Sequence, residues 1–128
     1  MKIALASDHA GYDLKQDIIN YLRNEDVTIK DFGCYSRESV DYADFAEKAV
    51  KQVVSGEFDR AILICGTGIG MSMVANKFKG IRATLCCDGY MAEMSRLHND
   101  SNCLTFGGRV LTPDKAVRIV EKLSLIHI

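Results

Sequence analysis

The sequence has no excess of basic residues, no tryptophan and a single proline. Its 16 Lys and Arg residues are balanced by 17 Asp and Glu residues, which gives a formal net charge of −1. Proteins that bind nucleic acid or an anionic membrane surface through charge need a basic excess. We therefore expect neither nucleic acid nor membrane as a partner. One proline also excludes a proline-rich linker, and we expect one domain without low-complexity segments.

The five cysteines show no CxxC spacing and no pairing with histidine that is typical of a metal site. Their odd number and the position of three of them inside apolar runs argue against a disulfide framework, so we expect a reducing, cytoplasmic location and no bound metal. The first apolar segment runs directly into Asp8, which is too early for a signal peptide. No apolar run approaches the length that spans a membrane.

Short apolar segments instead alternate with amphipathic helical patterns along the whole chain. The segments predict strands at 3–6, 27–32, 60–65, 81–86 and 102–106, each followed by a helix. Such an alternation predicts an α/β protein with three α/β/α layers around a five-stranded parallel sheet, Rossmann-like in outline. We assign residues 1–122 to this single domain.

The last six residues, 123–128, read Leu-Ser-Leu-Ile-His-Ile. They correspond to the translation of a transposon adaptor used in DNA library preparation. We therefore interpret 123–128 as a non-native tail and exclude it from the domain. A genuine apolar C-terminus is the alternative.

The most informative stretch is 61–72, in which an apolar strand ends at Cys65 and is followed by Gly66, Gly68 and Gly70 before a helix begins. Such a turn can direct backbone N–H groups at an anion, and those donors with the helix dipole favour a reactive thiolate. The hydroxyl of Thr67 could hydrogen-bond or relay a proton. The spacing is neither the dinucleotide fingerprint nor a P-loop.

Simpler explanations exist for these residues. The glycines could merely permit tight packing, and a strand cysteine is commonly a small buried hydrophobic residue. We keep that second interpretation for the other four cysteines, which are Cys34, Cys86, Cys87 and Cys103.

Four further polar residues follow predicted strand or helix ends. His9 follows the first strand, where a parallel sheet presents ligand groups, and His98 follows the fourth helix. Asp8 could bind a ligand or cap the first helix, and the two roles are equally supported. Arg109 follows the fifth strand and could hold a phosphate, with a solvated surface charge as the alternative. A loop histidine is often no more than a surface or packing residue.

Several motifs together resemble one known family, ribose 5-phosphate isomerase B, which also contains the galactose 6-phosphate isomerase subunits. The resemblance covers residues 1 to about 122, with the motifs in order. They are Ser7-Asp8-His9-Ala10-Gly11, Cys65-Gly66-Thr67-Gly68-Ile69-Gly70, Ala75-Asn76-Lys77, Gly80-Ile81-Arg82-Ala83, Arg96-Leu97-His98-Asn99-Asp100 and Phe106-Gly107-Gly108-Arg109.

The resemblance implies an isomerase that interconverts ribose 5-phosphate and ribulose 5-phosphate through an enediolate, without metal or organic cofactor. Cys65, assisted by Thr67, would be the base, and the N–H groups of Gly66, Thr67, Gly68, Ile69 and Gly70 would stabilise the enediolate. His98 would open the sugar ring and Asn99 would hold its hydroxyls. Asp8 and His9 would bind the ends of the sugar phosphate, and Arg109 the phosphate.

The resemblance also implies a homodimer, or a tetramer made of two such dimers, in which one subunit supplies Cys65 and its partner His98. Family chains continue into a C-terminal arm with further phosphate-binding arginines, so we expect a raised KM and a weaker dimer for this chain. Galactose 6-phosphate or allose 6-phosphate is the alternative substrate within the family. A non-catalytic phosphate- or nucleotide-binding module is the alternative outside it.

Overall fold

The computed structural model describes the backbone of residues 1–125 and the side chains of residues 1–122. Five strands alternate with five helices, as the sequence predicts. In chain order they are β1 (Lys2–Ser7), α1 (Tyr12–Leu22), β2 (Thr28–Asp31), α2 (Tyr42–Val54), β3 (Arg60–Cys65), α3 (Ile69–Ala75), β4 (Ala83–Leu85), α4 (Gly89–Asn99), β5 (Cys103–Gly107) and α5 (Pro113–Leu125). Helix α5 includes residues 123–125 of the predicted tail, and residues 126–128 lie outside the described part.

All neighbouring strands are parallel, in the order β2-β1-β3-β5-β4. One apolar cluster lies between the sheet and helices α1, α4 and α5, and a second lies beneath α2 and α3. The predicted three-layer α/β fold is therefore confirmed.

Large and small apolar side chains alternate along strand β1, so one face of the sheet there carries large residues and the other carries small ones. In β1, Ile3 and Leu5 face the first cluster, whereas Ala4 and Ala6 face the second. Successive side chains of a strand point to opposite faces, so the small residues leave room for α2 to approach the sheet closely. Cys65 lies on this second face.

The connections at β3 create a crevice at the carboxyl ends of the strands. Helix α3, which follows β3, packs on the second face, while α1 and α5, which follow β1 and β5, pack on the first. Neighbouring strands whose following helices leave in opposite directions open a crevice between their ends, which is where open α/β sheets bind ligands. The fold thus places the end of β3 between two such openings.

The two edge strands, β2 and β4, are shorter than the sequence predicts. Strand β4 covers three residues because it lies at the sheet edge and pairs with β5 alone. The Asn76 side chain occupies part of its open edge, accepting a hydrogen bond from the Ala83 N–H at 2.8 Å and donating one to the Ala83 carbonyl at 3.0 Å. An amide that pairs with strand backbone in this way blocks edge-to-edge association.

Cys87 corrects one expectation, because it is exposed at the turn between β4 and α4 rather than buried. Asp88, which follows, is the N-cap of α4, and its carboxylate accepts from the Met91 N–H at 2.8 Å. The other three cysteines assigned to packing are buried, as expected.

Among the described residues, no helix has the length and apolar character needed to cross a membrane.

Buried thiols predict a loss of stability at alkaline pH. Burial, with smaller contributions from Cys87 and Asp88, raises the pKa of Cys86 to about 12. The thiol ionises first in the unfolded chain, so the free energy of unfolding should fall as pH rises from about 9 towards 12. Denaturant titrations across this range measure the fall. It should be smaller in Cys86→Ala but still present, because burial also raises the pKa of Cys103. An equal fall in both proteins would contradict the assignment to Cys86.

Candidate active site

Three loops meet at the carboxyl ends of β1, β3 and β5, namely residues 8–11, 65–70 and 107–109. The Gly108 N–H donates to the Cys65 carbonyl at 2.8 Å, and the Arg109 N–H donates to the Gly66 carbonyl at 3.1 Å. The Asp8 N–H donates to the Ile64 carbonyl at 3.2 Å. These bonds extend the parallel pairing beyond the sheet, so the three loops form one continuous surface.

Glycine allows these loops to touch backbone to backbone. A Cβ atom at Gly11 would lie 2.3 Å from the Ile64 carbonyl oxygen, and one at Gly108 would lie 2.5 Å from the carbonyl oxygen of Ala10. Both distances are far below van der Waals contact, so no side chain fits at either position without displacing a loop.

Cys65 ends β3 with its side chain only 5% exposed. The Gly68 N–H donates to its Sγ at 3.1 Å. Gly68 reaches this position with a φ of 86°, in the left-handed region that favours glycine. The expected contact with Thr67 takes another form, because the Thr67 hydroxyl accepts from the Ile69 N–H at 3.2 Å. The backbone, rather than Thr67, is the hydrogen-bond partner of the thiol.

Around Cys65 the loop offers unused hydrogen-bond donors. Within residues 1–125, the N–H groups of Gly66, Thr67 and Gly70 donate to no acceptor. Two of them precede α3 and the third belongs to its first turn. Several N–H groups beside one sulfur can stabilise negative charge that develops on a bound substrate.

Asp8 and His9 lie at the adjoining end of β1. The Asp8 carboxylate is 7% exposed and accepts from the Gly11 N–H at 3.0 Å, so it stabilises the turn that leads into α1. His9 is half-buried, and its Nδ1 accepts from the Val40 N–H at 3.2 Å. Asp8 is not the N-cap of α1, which is Gly11, so its structural role is to stabilise the turn before the helix. The position of its carboxylate at the crevice also permits ligand binding.

Arg109 extends across the same surface from the end of β5. Its Cδ and Nη1 atoms lie 3.7 Å from the position a Cβ would take on Gly66. The exposed guanidinium is thus adjacent to the free N–H groups of the β3 loop. A delocalised cation beside backbone donors is suited to an anionic group such as phosphate.

Tyr42 is a site residue that our sequence analysis missed. It begins α2, directly after the cap Asp41, and its ring lies against Gly70, where a Cβ would be 2.7 Å from Cζ. Its phenol therefore forms a wall of the crevice at the first turn of α3. The available signal was the Asp41–Asp44 segment, in which an aromatic residue lies between two acidic residues at a helix start.

His98 and Asn99 lie elsewhere in the chain. They end α4, whose chain then enters β5 at its amino end, whereas Cys65 is in register with Gly107 at the carboxyl end. The length of β5, about 13 Å at about 3.3 Å per residue, therefore separates the point where the chain enters the sheet after His98 from the level of Cys65. A single chain does not bring the two residues together.

The surroundings of Asn99 are concave. A cavity of about 430 Å³ lies against edge strand β4 and is lined by Asn76, Ile81, Arg82, Ala83, Thr84 and Asn99. The Arg82 guanidinium donates to the Asn99 carbonyl at 2.6 Å and fixes the end of α4 there.

Across the described residues, no group of three or more His, Cys, Asp or Glu side chains could hold a metal ion.

The sequence pattern of a family described as ribose/galactose isomerase matches residues 3–124. The chain belongs to this family. Ribose-5-phosphate isomerase B of Escherichia coli is 47% identical to it over 120 residues, which is 94% of this chain and 80% of the relative. The solved structure of ribose 5-phosphate isomerase B from Clostridium thermocellum superposes with a TM-score of 0.94 at 51% identity, covering 96% of this chain and 83% of that one.

Members of the ribose/galactose isomerase family differ in the substrate they are named for. A 4-deoxy-4-sulfo-D-erythrose isomerase of a Clostridium species is 43% identical over 112 residues, which is 87% of this chain and 70% of the relative. The similarity therefore identifies a sugar isomerase, and the identity of the acidic sugar is a separate question.

The thiols of this ribose/galactose isomerase should differ in reactivity. Iodoacetamide near neutral pH should label Cys65 and the exposed Cys87, because the Cys65 sulfur lies at the crevice and accepts a hydrogen bond from the Gly68 N–H. Cys86 and Cys103 should remain unlabelled, because burial raises the pKa of both thiols. Peptide mass spectrometry over a time course measures the order in which the cysteines are alkylated. Labelling of Cys86 before Cys65 would contradict it.

Proposed function

We propose that the chain interconverts ribose 5-phosphate and ribulose 5-phosphate, with Cys65 as the base. The observation that carries the proposal is the Cys65 sulfur at the end of β3, with an N–H on it and three free N–H groups in the loop that follows it. An aldose–ketose isomerase needs this combination, because one group must move a proton between neighbouring carbons while an oxygen becomes negative.

The reaction starts from the open-chain aldose. The Cys65 thiolate removes the proton from C2, the electron pair forms the C1–C2 double bond, and the aldehyde oxygen O1 gains the negative charge. The N–H groups of Gly66, Thr67 and Gly70 donate to this oxygen and lower the barrier. The proton on O2 passes to O1, and the Cys65 thiol returns its proton to C1. The product is the ketose, and no external oxidant or reductant takes part.

The groups on either side of the β3 loop bind the substrate. The Arg109 guanidinium is placed to pair with the phosphate, and His9 and Asp8 bind the ends of the sugar phosphate from the β1 loop. Thr67 presents its exposed hydroxyl at the rim of the crevice and assists the proton transfers.

Ring opening requires a second subunit. His98 transfers the proton from the anomeric hydroxyl to the ring oxygen, and Asn99 holds sugar hydroxyls, yet in one chain both precede the amino end of β5, whereas Cys65 is level with its carboxyl end. We propose a homodimer in which His98 of the partner subunit faces Cys65. Exposed apolar side chains on both surfaces support it, because Ile69 and Met73 flank the Cys65 loop and Leu97 precedes His98.

Replacement of the base tests the proposed function directly. Cys65→Ala should lower kcat for ribose 5-phosphate by about 10²- to 10⁴-fold, the usual contribution of a general base. Cys87→Ser, which removes an exposed thiol from the turn between β4 and α4, is the matched control and should keep its activity. Formation of ribulose 5-phosphate is the measurement. A non-catalytic binding module would show no turnover in any of the three proteins, and equal turnover in all would exclude Cys65 as the base.

Mixing two inactive subunits tests the shared site. Cys65→Ala and His98→Asn should each be inactive, but random reassociation gives mixed dimers with one intact site out of two. The mixture should therefore recover about a quarter of the wild-type activity. No recovery, with mixed dimers demonstrated by mass spectrometry, would contradict a site shared between subunits.

The choice of sugar tests the substrate within the family. We expect kcat/KM for ribose 5-phosphate to exceed that for galactose 6-phosphate or allose 6-phosphate, because the Tyr42 ring closes the crevice against Gly70. Tyr42→Ala should reduce the preference by opening that wall. If the native chain has a higher kcat/KM for galactose 6-phosphate or allose 6-phosphate, its substrate is a six-carbon sugar phosphate instead.

A further inference from the structure

We propose that Lys15 is a positioning residue for His9. Its buried ammonium group fixes the loop 32–40, and the Val40 amide of that loop holds His9 with the proton on Nε2. The proposal rests on the proposed function in one respect, namely that His9 contacts the substrate.

Lys15 is the first part of this connection. It lies in α1 and is completely buried, which is costly for a charged side chain unless it is fully paired. Its Nζ donates to Asp31 Oδ1 at 2.7 Å and to the Cys34 carbonyl oxygen. The rings of Tyr12 and Tyr35 each lie 5.6 Å from the ammonium, as centroid distances. A charge held by four groups has essentially one position.

These partners determine the conformation of the turn after β2. Asp31 Oδ1 also accepts from the Gly33 N–H at 2.8 Å, so one oxygen joins the ammonium to the backbone of the turn. The turn in turn pairs with the end of β1, because the Ser7 N–H donates to the Gly33 carbonyl at 2.7 Å and the Cys34 N–H to the Ser7 carbonyl at 2.8 Å. Ser7 is two residues before His9.

From Cys34 the loop continues to Val40 through a series of local contacts. The Cys34 thiol donates to the Ser36 carbonyl at 3.3 Å, and the Glu38 N–H donates to the Ser36 hydroxyl at 3.3 Å. Arg37 pairs with Asp13 of α1 at 2.8 Å, an exposed pair that contributes little by itself. The buried anchors of the segment therefore all lie at its beginning, where Lys15 supplies the charged side-chain contact beside the backbone pairing with Ser7.

The last residue of the loop, Val40, forms a hydrogen bond with the imidazole of His9. The Val40 N–H donates to Nδ1 at 3.2 Å, which requires a lone pair on that nitrogen. Neutral His9 then carries its proton on Nε2 and offers it as a donor. A donor of fixed direction suits an anionic phosphate oxygen, whereas the other tautomer would present a lone pair and repel it.

A purely structural Lys15 is the competing explanation, and it predicts a different result. A lysine that only stabilises the fold would lower the free energy of unfolding on replacement and leave His9 unchanged. The positioning role predicts a change in the tautomer of His9 and in substrate binding, and these can be measured separately from stability.

The test uses the double variant Lys15→Met/Asp31→Asn, which removes both charges and so leaves neither buried without a partner. The asparagine retains an oxygen for the Gly33 N–H. Lys51→Met is the matched control, because Lys51 is an exposed lysine paired with Glu47 on α2. Nitrogen-15 NMR of labelled histidine reports the tautomer, and the His9 signal is assigned by its loss in His9→Gln.

In the native chain and in Lys51→Met, His9 should show an unprotonated Nδ1 and a protonated Nε2. In the double variant the two tautomers should mix, and KM for ribose 5-phosphate should rise about tenfold while kcat changes less than about twofold, as expected for a lost binding contact. Both changes together would support the proposal.

Three results would overturn the proposal. They are a proton on Nδ1 in the native chain, an unchanged tautomer and KM in a folded double variant, or a fall in kcat without a rise in KM. The native spectrum decides the first even if the double variant does not fold. Absence of turnover in the native chain would count against the proposed function alone, because the tautomer and its dependence on Lys15 are measured without substrate.

Discussion

The close approach of three backbone loops is the constraint on which the rest of this structure depends. Gly11 and Gly108 lie so near the carbonyl oxygens of Ile64 and Ala10 that neither can carry a Cβ. Because they touch, the ends of β1, β3 and β5 act as one rigid surface. The N–H groups around Cys65, the guanidinium of Arg109 and the imidazole of His9 are positioned relative to one another through that surface.

The sheet supplies the support for this surface by dividing large and small residues between its faces. Ile62 and Ile64 fill the side covered by α1, α4 and α5, while Ala4 and Ala6 leave space on the side of α2 and α3. The close packing of α2 that results carries Tyr42 onto Gly70. A buried, fully paired Lys15 stabilises the neighbouring turn, so both flanks of the crevice are held by interactions outside the crevice itself.

Much of this arrangement could be predicted from the sequence because it depends on local patterns. The strand-to-helix turn at Cys65 and the order of elements follow from periodicity and glycine spacing, and family motifs indicated the candidate residues. Contacts between distant segments could not be predicted. Nothing in the spacing pairs Tyr42 with Gly70 or Val40 with His9, and the Gly68 amide took the place expected for Thr67 at the thiol. Exposure of Cys87 also depends on where a turn ends, which periodicity locates poorly.

The central claim is that a proton, carried by Cys65, moves between C2 and C1 of an open-chain sugar phosphate. The most direct measurement is conversion of ribose 5-phosphate in deuterated water, stopped early and analysed by NMR. A thiol that exchanges with solvent between proton removal and return should leave deuterium on C1 of ribulose 5-phosphate. Product formed at the full rate by Cys65→Ala, with the same deuterium on C1, would contradict the account of Cys65 as the base, because another group would then carry the proton.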